Sequence, residues 1–112
     1  GSVREASLQA RILKALRERG GWWVKFHVGP RYSTAGVPDI IGCYRGRFIG
    51  LEVKTPKGKV TPLQAETHRQ IREKGEAIVV VVRSVRQATK VLDVIDGLVD
   101  TKNGRRRVKH GG

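Results

Sequence analysis

Cysteine, aromatic residues and acidic residues are scarce in this chain, and long apolar runs are missing. The single cysteine, Cys43, cannot form an internal disulfide, so a secreted, disulfide-bonded framework is not indicated. Because it lies in an apolar stretch, Cys43 is predicted to be a small buried hydrophobic residue rather than a nucleophile. No apolar run approaches the roughly 20 residues of a transmembrane helix, and no signal sequence is visible. Membrane association is therefore not predicted.

Two signatures of small-ligand binding are also missing. The sequence has no Gly-x-Gly-x-x-Gly loop and no Walker phosphate-binding loop, so a nucleotide cofactor is not predicted. His27 has no second histidine or cysteine at metal-ligand spacing, which disfavours a zinc site. A lone histidine on a strand is usually structural, although His27 could also line a site.

Positive charge dominates what is present. Lysine and arginine number 23 against 10 acidic residues, which gives a formal charge of +13. This charge predicts a polyanionic partner, because neutralising phosphates and releasing their counterions drives binding to nucleic acid. Ribosomal and membrane-surface proteins share this balance, so the charge does not tell what is done to the partner. A length of 112 residues is that of one domain with a modest core.

Hydrophobic periodicity predicts the first helix and the first strand. A helix is expected over about residues 4–19, since apolar residues recur at helical spacing until a glycine pair: Leu8, Ile12, Leu13, Leu16, then Gly20-Gly21. Gly1-Ser2 is interpreted as a cloning remnant and is left out of the fold. Residues 22–28 carry large apolar side chains on both sides of the alternation, which predicts a central strand.

Capping signals predict the second helix and continuous apolar residues predict the last strand. Thr61 is the expected N-cap, Pro62 the first helical residue, and Gln64 completes a capping box; the helix ends near Gly75. Residues 77–82 are continuously apolar and mostly β-branched, so they are predicted to form a strand covered on both faces.

A third helix is predicted from a second capping box, Ser84 with Gln87, to about Gly97. The single domain is therefore expected over residues 3–99. Residues 100–112 contain three consecutive arginines and are predicted to be a flexible basic tail that adds non-specific affinity, or to include a short strand over 106–109.

The centre of the predicted sheet is a β-hairpin. Residues 40–44 and 48–54 form two strands joined by a tight turn at Arg45-Gly46, so paired residues have numbers that sum to 91. This register places Asp39 opposite Glu52. Antiparallel partners have Cβ atoms roughly 4.5 to 5.5 Å apart, where like charges repel unless they are compensated. A divalent cation would compensate the two carboxylates directly.

The alternation of side chains adds a cation to this pair. Lys54 lies on the same face as Glu52, whereas Leu51 and Val53 point to the other face and fill a core. A purely structural interpretation remains open. In it, Glu52 and Lys54 are an exposed pair worth under about 1 kcal/mol, and Asp39 is only a turn residue.

These residues resemble a known nuclease signature. Pro38-Asp39, followed thirteen residues later by Glu52-Val53-Lys54, is similar to the PD-(D/E)XK motif. The fuller pattern resembles the virus-type replication-repair nuclease (VRR-NUC) branch: Gly36-Val37-Pro38-Asp39, then Glu52-Val53-Lys54-Thr55-Pro56-Lys57-Gly58, then Gln64. The resemblance extends from about Glu5 to Ser84. It implies an α/β core of restriction-endonuclease type, in which helices flank a central mixed sheet.

The resemblance also implies a metal-dependent site. Asp39 and Glu52 would ligate Mg²⁺, for which Mn²⁺ is expected to substitute, and the family pattern adds the backbone carbonyl of Val53. Lys54 would either deprotonate or orient the attacking water, or offset charge in the transition state. Glu5 is an outer metal ligand by resemblance, or a first-turn acid favoured by the helix dipole.

Several further residues are candidates for contacting nucleic acid. Arg31 and Tyr32 lie in the turn-rich loop before Asp39, where a solvated loop is the other interpretation. Gly36 would let nucleic acid approach the backbone closely. Lys57 and Lys59 follow Lys54 in a short basic turn. By resemblance Gln64 lies near the metal and the nucleic acid, whereas the capping box assigns it to its own helix.

The expected function is that of a DNA endonuclease. The resemblance includes stand-alone forms similar to Holliday-junction resolvases, so we predict cleavage of branched DNA by a homodimer. Flap or single-strand cleavage, a non-catalytic nucleic-acid-binding module and a structural RNA-associated protein are the alternatives. Trp22, Trp23 or residues 78–82 are candidates for the dimer surface, since the tryptophans are expected in a core or an interface rather than stacked on bases. A cytoplasmic protein associated with nucleoid or phage DNA is expected, in the host cytoplasm if viral.

Overall fold

The architecture is a four-stranded sheet with helices on both faces. The computed structural model describes residues 2–26 and 36–111, and side chains for residues 3–26 and 36–102. The elements in chain order are α1 (Ser2–Arg19), β1 (Trp22–Lys25), β2 (Ile40–Tyr44), β3 (Arg47–Val53), α2 (Pro62–Lys74), β4 (Ile78–Val82) and α3 (Val85–Gly111). Strands β1, β2 and β3 pair antiparallel, and β4 pairs parallel with β3. The predicted α/β class with a mixed sheet is confirmed.

The hairpin has the predicted register. The β2–β3 pairs extend from Ile40 with Leu51 to Tyr44 with Arg47, and every pair sums to 91. Arg45 and Gly46 both have positive φ, 49° and 82°, as a two-residue turn that follows the strand twist requires. Glycine adopts this conformation without strain, and the guanidinium of Arg45 forms ion pairs with α3. Local turn chemistry therefore fixes which residues meet at the far end of the hairpin.

One face of the sheet carries the core. Leu51 and Val53 of β3 are fully buried against α1 and α3, together with Ile12, Leu16 and Leu92. Helix α2 packs on the opposite face, next to β4. Because side chains alternate along β3, Glu52 lies on the α2 side. The hairpin thus has one apolar face, which packs in the core, and one face that bears the acidic residues.

Two strand predictions need correction. In the described sheet, β1 and β4 are the two edges, so β1 is not a central strand. Trp23 is buried in the core, but Trp22 is 62% exposed. Cys43 was expected to be buried and is exposed, because it pairs with Trp22 and Phe48 on a part of the sheet that α2 does not cover. The apolar pattern predicted these strands correctly without telling which faces are covered.

The last helix is longer than predicted. α3 does not end near Gly97 but continues to Gly111, so the predicted helix end and the short strand at 106–109 are wrong, whereas the domain boundary at residue 99 stays a prediction. Residues beyond Gly97 make contacts that stabilise the helix: Val99 packs against the core, and Asp100 pairs with Arg45 at 3.1 Å. These tertiary contacts outweigh the cost of a mid-helix glycine, about 1 kcal/mol.

The capping predictions hold for α2 and in part for α3. Thr61 Oγ1 accepts from the Gln64 N–H at 3.1 Å, and Gln64 Oε1 accepts from the Thr61 N–H at 3.0 Å. At α3, Ser84 Oγ accepts from the Gln87 N–H, but Gln87 Oε1 accepts from the N–H of Arg83 rather than Ser84. Among the described helices, none is both long and apolar enough to cross a bilayer.

Candidate active site

Two carboxyl groups meet at the open end of the hairpin. Asp39 lies one residue beyond the last β2–β3 pair, and its backbone carbonyl accepts from the Phe26 N–H at 2.7 Å. Its Oδ2 accepts from the Val53 N–H at 2.8 Å, which fixes the side chain against β3. Glu52 is hydrogen-bonded to Asp39 and is only 1% exposed. The predicted meeting of the two acids is therefore confirmed by the geometry.

This crowding changes the protonation of the pair. Burial of the carboxyl group, followed by the hydrogen bond and charge of Asp39, raises the pKa of Glu52 to about 9. Lys54 opposes this increase, and Glu5 at the start of α1 adds to it. In the metal-free protein the Glu52 carboxyl is therefore protonated near neutral pH and donates to Asp39. Two carboxyl groups sharing a proton make a site where a cation would relieve the repulsion.

A histidine that sequence reasoning missed completes the buried cluster. His68 of α2 is 2% exposed, and its Nε2 lies 3.1 Å from Glu52 Oε1. Burial and the nearby charge of Arg72 lower the pKa of His68, so the ring is neutral near pH 7, and its Nε2 is hydrogen-bonded to Glu52. The available signal was its position four residues after Gln64, on the same face of α2.

The donor set suits a hard divalent cation. Across residues 2–26 and 36–111, no three histidine, cysteine or acidic side chains are grouped to hold a metal by themselves. Two carboxylates with a backbone carbonyl and waters are nevertheless what Mg²⁺ accepts, since it keeps several waters and binds few protein oxygens. Outside the pair, the protein bonds Oδ2 of Asp39 and Oε1 of Glu52. The hydrogen bond between the two carboxyl groups is the contact that a cation would replace.

A basic turn follows β3 next to this pair. The guanidinium of Arg83 holds the turn, because its Nη1 donates to the carbonyls of Thr55 at 2.8 Å and Gly58 at 2.6 Å. Lys54 is half-buried at the end of β3, and Lys57 and Lys59 are exposed. The structure therefore brings the three predicted lysines to the same end of the hairpin as the carboxyl pair.

The remaining candidate site residues lie outside the basic turn. Gly36 has φ of 89°, and a Cβ there would lie 2.5 Å from Thr67 Oγ1, so its close approach is to α2. This packing alone requires a glycine, and a contact of Gly36 with nucleic acid stays a prediction. The amide oxygen of Gln64 is used in the helix cap, and a nucleic-acid contact by the same side chain stays a prediction. His27, Arg31 and Tyr32 lie outside the described residues.

Comparisons with known proteins indicate a nuclease. No family model matches the chain. A protein named "Putative nuclease p44" from Acyrthosiphon pisum secondary endosymbiont phage 1 is 33% identical over 79 residues, which cover 70% of this chain and 82% of the relative. A solved structure described as a VRR_NUC domain has a TM-score of 0.64 and 30% identity, and the match covers 80% of this chain and 94% of that one.

A mixed four-stranded sheet with three helices, which carries paired carboxyl groups at the end of an antiparallel hairpin, defines a nuclease-type domain with a PD-(D/E)XK-like fold. The chain belongs to the VRR-NUC family.

Proposed function

We propose that this domain is a divalent-metal-dependent endonuclease that hydrolyses phosphodiester bonds in DNA, of the PD-(D/E)XK type. The observation that carries the proposal is Glu52, a carboxyl group only 1% exposed that is held against a second carboxyl group, Asp39. Burying two acids together destabilises a fold unless something compensates them. A functional cation explains why both are present.

Asp39, Glu52 and the Val53 backbone carbonyl would hold Mg²⁺, with Mn²⁺ as a substitute. When bound, such an ion supplies an activated water and neutralises charge on the phosphate and the leaving oxygen. The chain's own residues set the geometry: the Val53 N–H orients Asp39, and β3 presents Glu52 and Lys54 on one face. Lys54 would orient or deprotonate the attacking water, or stabilise the transition state. Glu5 would act as an outer ligand.

DNA is the expected substrate because the charge of +13 favours a polyanion. Lys57, Lys59, Gly36, Gln64, Arg31 and Tyr32 are the proposed contacts to nucleic acid. We propose branched DNA, such as four-way junctions, in association with nucleoid or phage DNA in the cytoplasm. Flap or single-strand cleavage is the alternative.

Two active sites in a symmetric homodimer would match the two-fold symmetry of a junction. Trp23 is buried and is therefore no longer a candidate for the dimer surface. Trp22 is 62% exposed and Phe48 is 42% exposed. Exposed neighbouring aromatic side chains are frequent at protein interfaces, so this row is the dimer surface that we propose. The free edge of β4, Ile78–Val82, is the second candidate.

The test is cleavage of a synthetic four-way junction beside matched duplex and flapped DNA, with Mg²⁺, with Mn²⁺ and with EDTA. Asp39→Ala is compared with Asp93→Ala, which removes an exposed carboxylate on α3 that pairs with Arg19. We expect symmetric nicking that requires metal, falls at least about 100-fold in Asp39→Ala, since a metal contributes several kcal/mol, and persists in Asp93→Ala. Binding without cleavage under every metal condition would instead favour a non-catalytic module.

A further inference from the structure

The least explained group in the site is the buried histidine of α2. His68 is 2% exposed, and it is hydrogen-bonded to the similarly buried Glu52. Neither the capping of α2 nor the apolar core on the other face of the sheet uses it. A helix that only needed to cover this face would place an apolar residue here, since burying an imidazole beside a carboxyl group has a desolvation cost.

The hydrogen bond between His68 and Glu52 approaches the carboxyl pair from one defined side. Nε2 of His68 bonds Oε1 of Glu52 from the α2 side, while the Val53 N–H bonds Oδ2 of Asp39 from the β3 side. Each carboxyl group is therefore held from outside the pair through one oxygen, and the two groups are hydrogen-bonded to each other. Glutamate has three side-chain torsions, so Glu52 depends on such a contact more than the shorter Asp39 does.

Resting on the proposed function, we infer that His68 is a positioning residue: it holds Glu52 in the orientation that presents one carboxylate oxygen, rather than both, to a divalent cation shared with Asp39. A partner that bonds a metal-ligating carboxylate fixes its rotamer, and the loss of such a partner lowers metal affinity by roughly 10- to 100-fold. His68 thus acts through Glu52 and makes no contact with the ion.

Glutamine provides the matched rescue. Its amide Nε2 and the imidazole Nε2 of histidine stand at the same number of bonds from Cα, so His68→Gln keeps a donor near Glu52 Oε1. His68→Leu fills the space without a donor. Ile71→Ala is the structural control, because it shortens a half-buried apolar residue one turn further along α2.

The experiment measures Mn²⁺ binding to each purified protein by calorimetry in the absence of DNA, with Tm measured in EDTA. We expect His68→Leu to weaken Mn²⁺ binding at least about 10-fold, His68→Gln to restore most of it, and Ile71→Ala to lower Tm without changing Mn²⁺ affinity. If His68→Leu does not fold, His68→Asn is used instead, because the asparagine side chain is too short for its amide to reach Oε1 of Glu52.

Two results in the His68 variants would overturn the inference: unchanged Mn²⁺ affinity in folded His68→Leu, or His68→Gln as weak as His68→Leu. Failure of the proposed function is a different result, in which the wild-type protein itself binds no Mn²⁺ and Asp39→Ala makes no difference. A loss of affinity in Ile71→Ala equal to that in His68→Leu would reduce the role of His68 to general stability and would also contradict the inference.

Discussion

The carboxyl groups at the two ends of the β2–β3 hairpin have pKa shifts in opposite directions. At the turn end, Asp96 of α3 accepts from the Tyr44 hydroxyl at 2.8 Å, Arg45 at 3.0 Å and Arg19 at 3.1 Å. The hydrogen bonds from Tyr44 and Arg45 lower its pKa. At the open end, burial and Asp39 raise the pKa of Glu52 to about 9.

The difference separates a stabilising acid from the one that we propose as a metal ligand. Asp96 joins the end of α1, strand β2 and the hairpin turn, and every contact favours its charged form. Glu52 lies roughly 17 Å away at the strand rise of about 3.3 Å per residue. There, burial and Asp39 outweigh the favourable charge of Lys54. This contrast, three donors for one acid and crowding for the other, supports the cation that we propose at the second position.

The largest effect on Tm is expected when the titrating carboxyl group at the open end, Glu52, is replaced. Glu52→Gln should raise Tm in EDTA, because the amide keeps a donor for Asp39 without a charge to bury. A raised folded pKa means that the favourable contribution is complete below the ordinary value of 4.5 and is lost as pH rises through about 9. The Tm advantage of Glu52→Gln should therefore grow over that range, and it is measured by thermal scans at several pH values. A constant advantage would contradict the assigned pKa.

A smaller and opposite effect is expected at the turn end. Asp96→Asn should lower Tm near neutral pH, because three donors lose their charged acceptor, while metal-dependent cleavage stays at the wild-type rate. The pKa of Asp96 is lowered, so its contribution is present above the ordinary value of 3.8 and is lost as pH falls through the folded value. The wild-type and variant Tm values should converge in acid. Loss of cleavage in this variant would remove the distinction between the two ends.

The smallest effect concerns the cations that flank each end. Lys57→Ala should weaken binding to a four-way junction a few-fold in EDTA and reduce the salt dependence by about one counterion. Arg45→Ala removes one charge at the turn end, where the guanidinium already pairs with Asp96 and Asp100. Its salt dependence should stay at the wild-type value. Equal changes in the two variants would mean that the basic turn is not a preferred contact.

The hairpin could be predicted from sequence because its determinants are local. Arg45-Gly46 supports a two-residue turn, alternation defines the faces, and one turn then fixes which residues pair, including Asp39 with Glu52. The N-terminal cap of α2 is equally local, since Thr61 and Gln64 are three residues apart. Signals within a few residues of each other therefore gave reliable results.

The features that were missed depend on contacts between distant elements. The bond of His68 to Glu52 exists only because α2 packs over β3, which no helical pattern specifies. α3 passes its apparent stop at Gly97 because Asp100 meets Arg45 from the hairpin turn. Cys43 is exposed because the helix on its face covers β4 instead. Each of these outcomes is decided by packing geometry.

The most direct test of the central claim is the Tm of the wild-type protein and of Glu52→Gln in EDTA and in excess Mn²⁺, without DNA. A cation that binds the folded state at 100 times its Kd stabilises it by about 2.7 kcal/mol, which is on the order of 10 °C for a domain of this size. The account predicts such an increase for the wild-type protein and little or none for Glu52→Gln. Equal responses of the two proteins to Mn²⁺ would contradict a metal site at the open end of the hairpin.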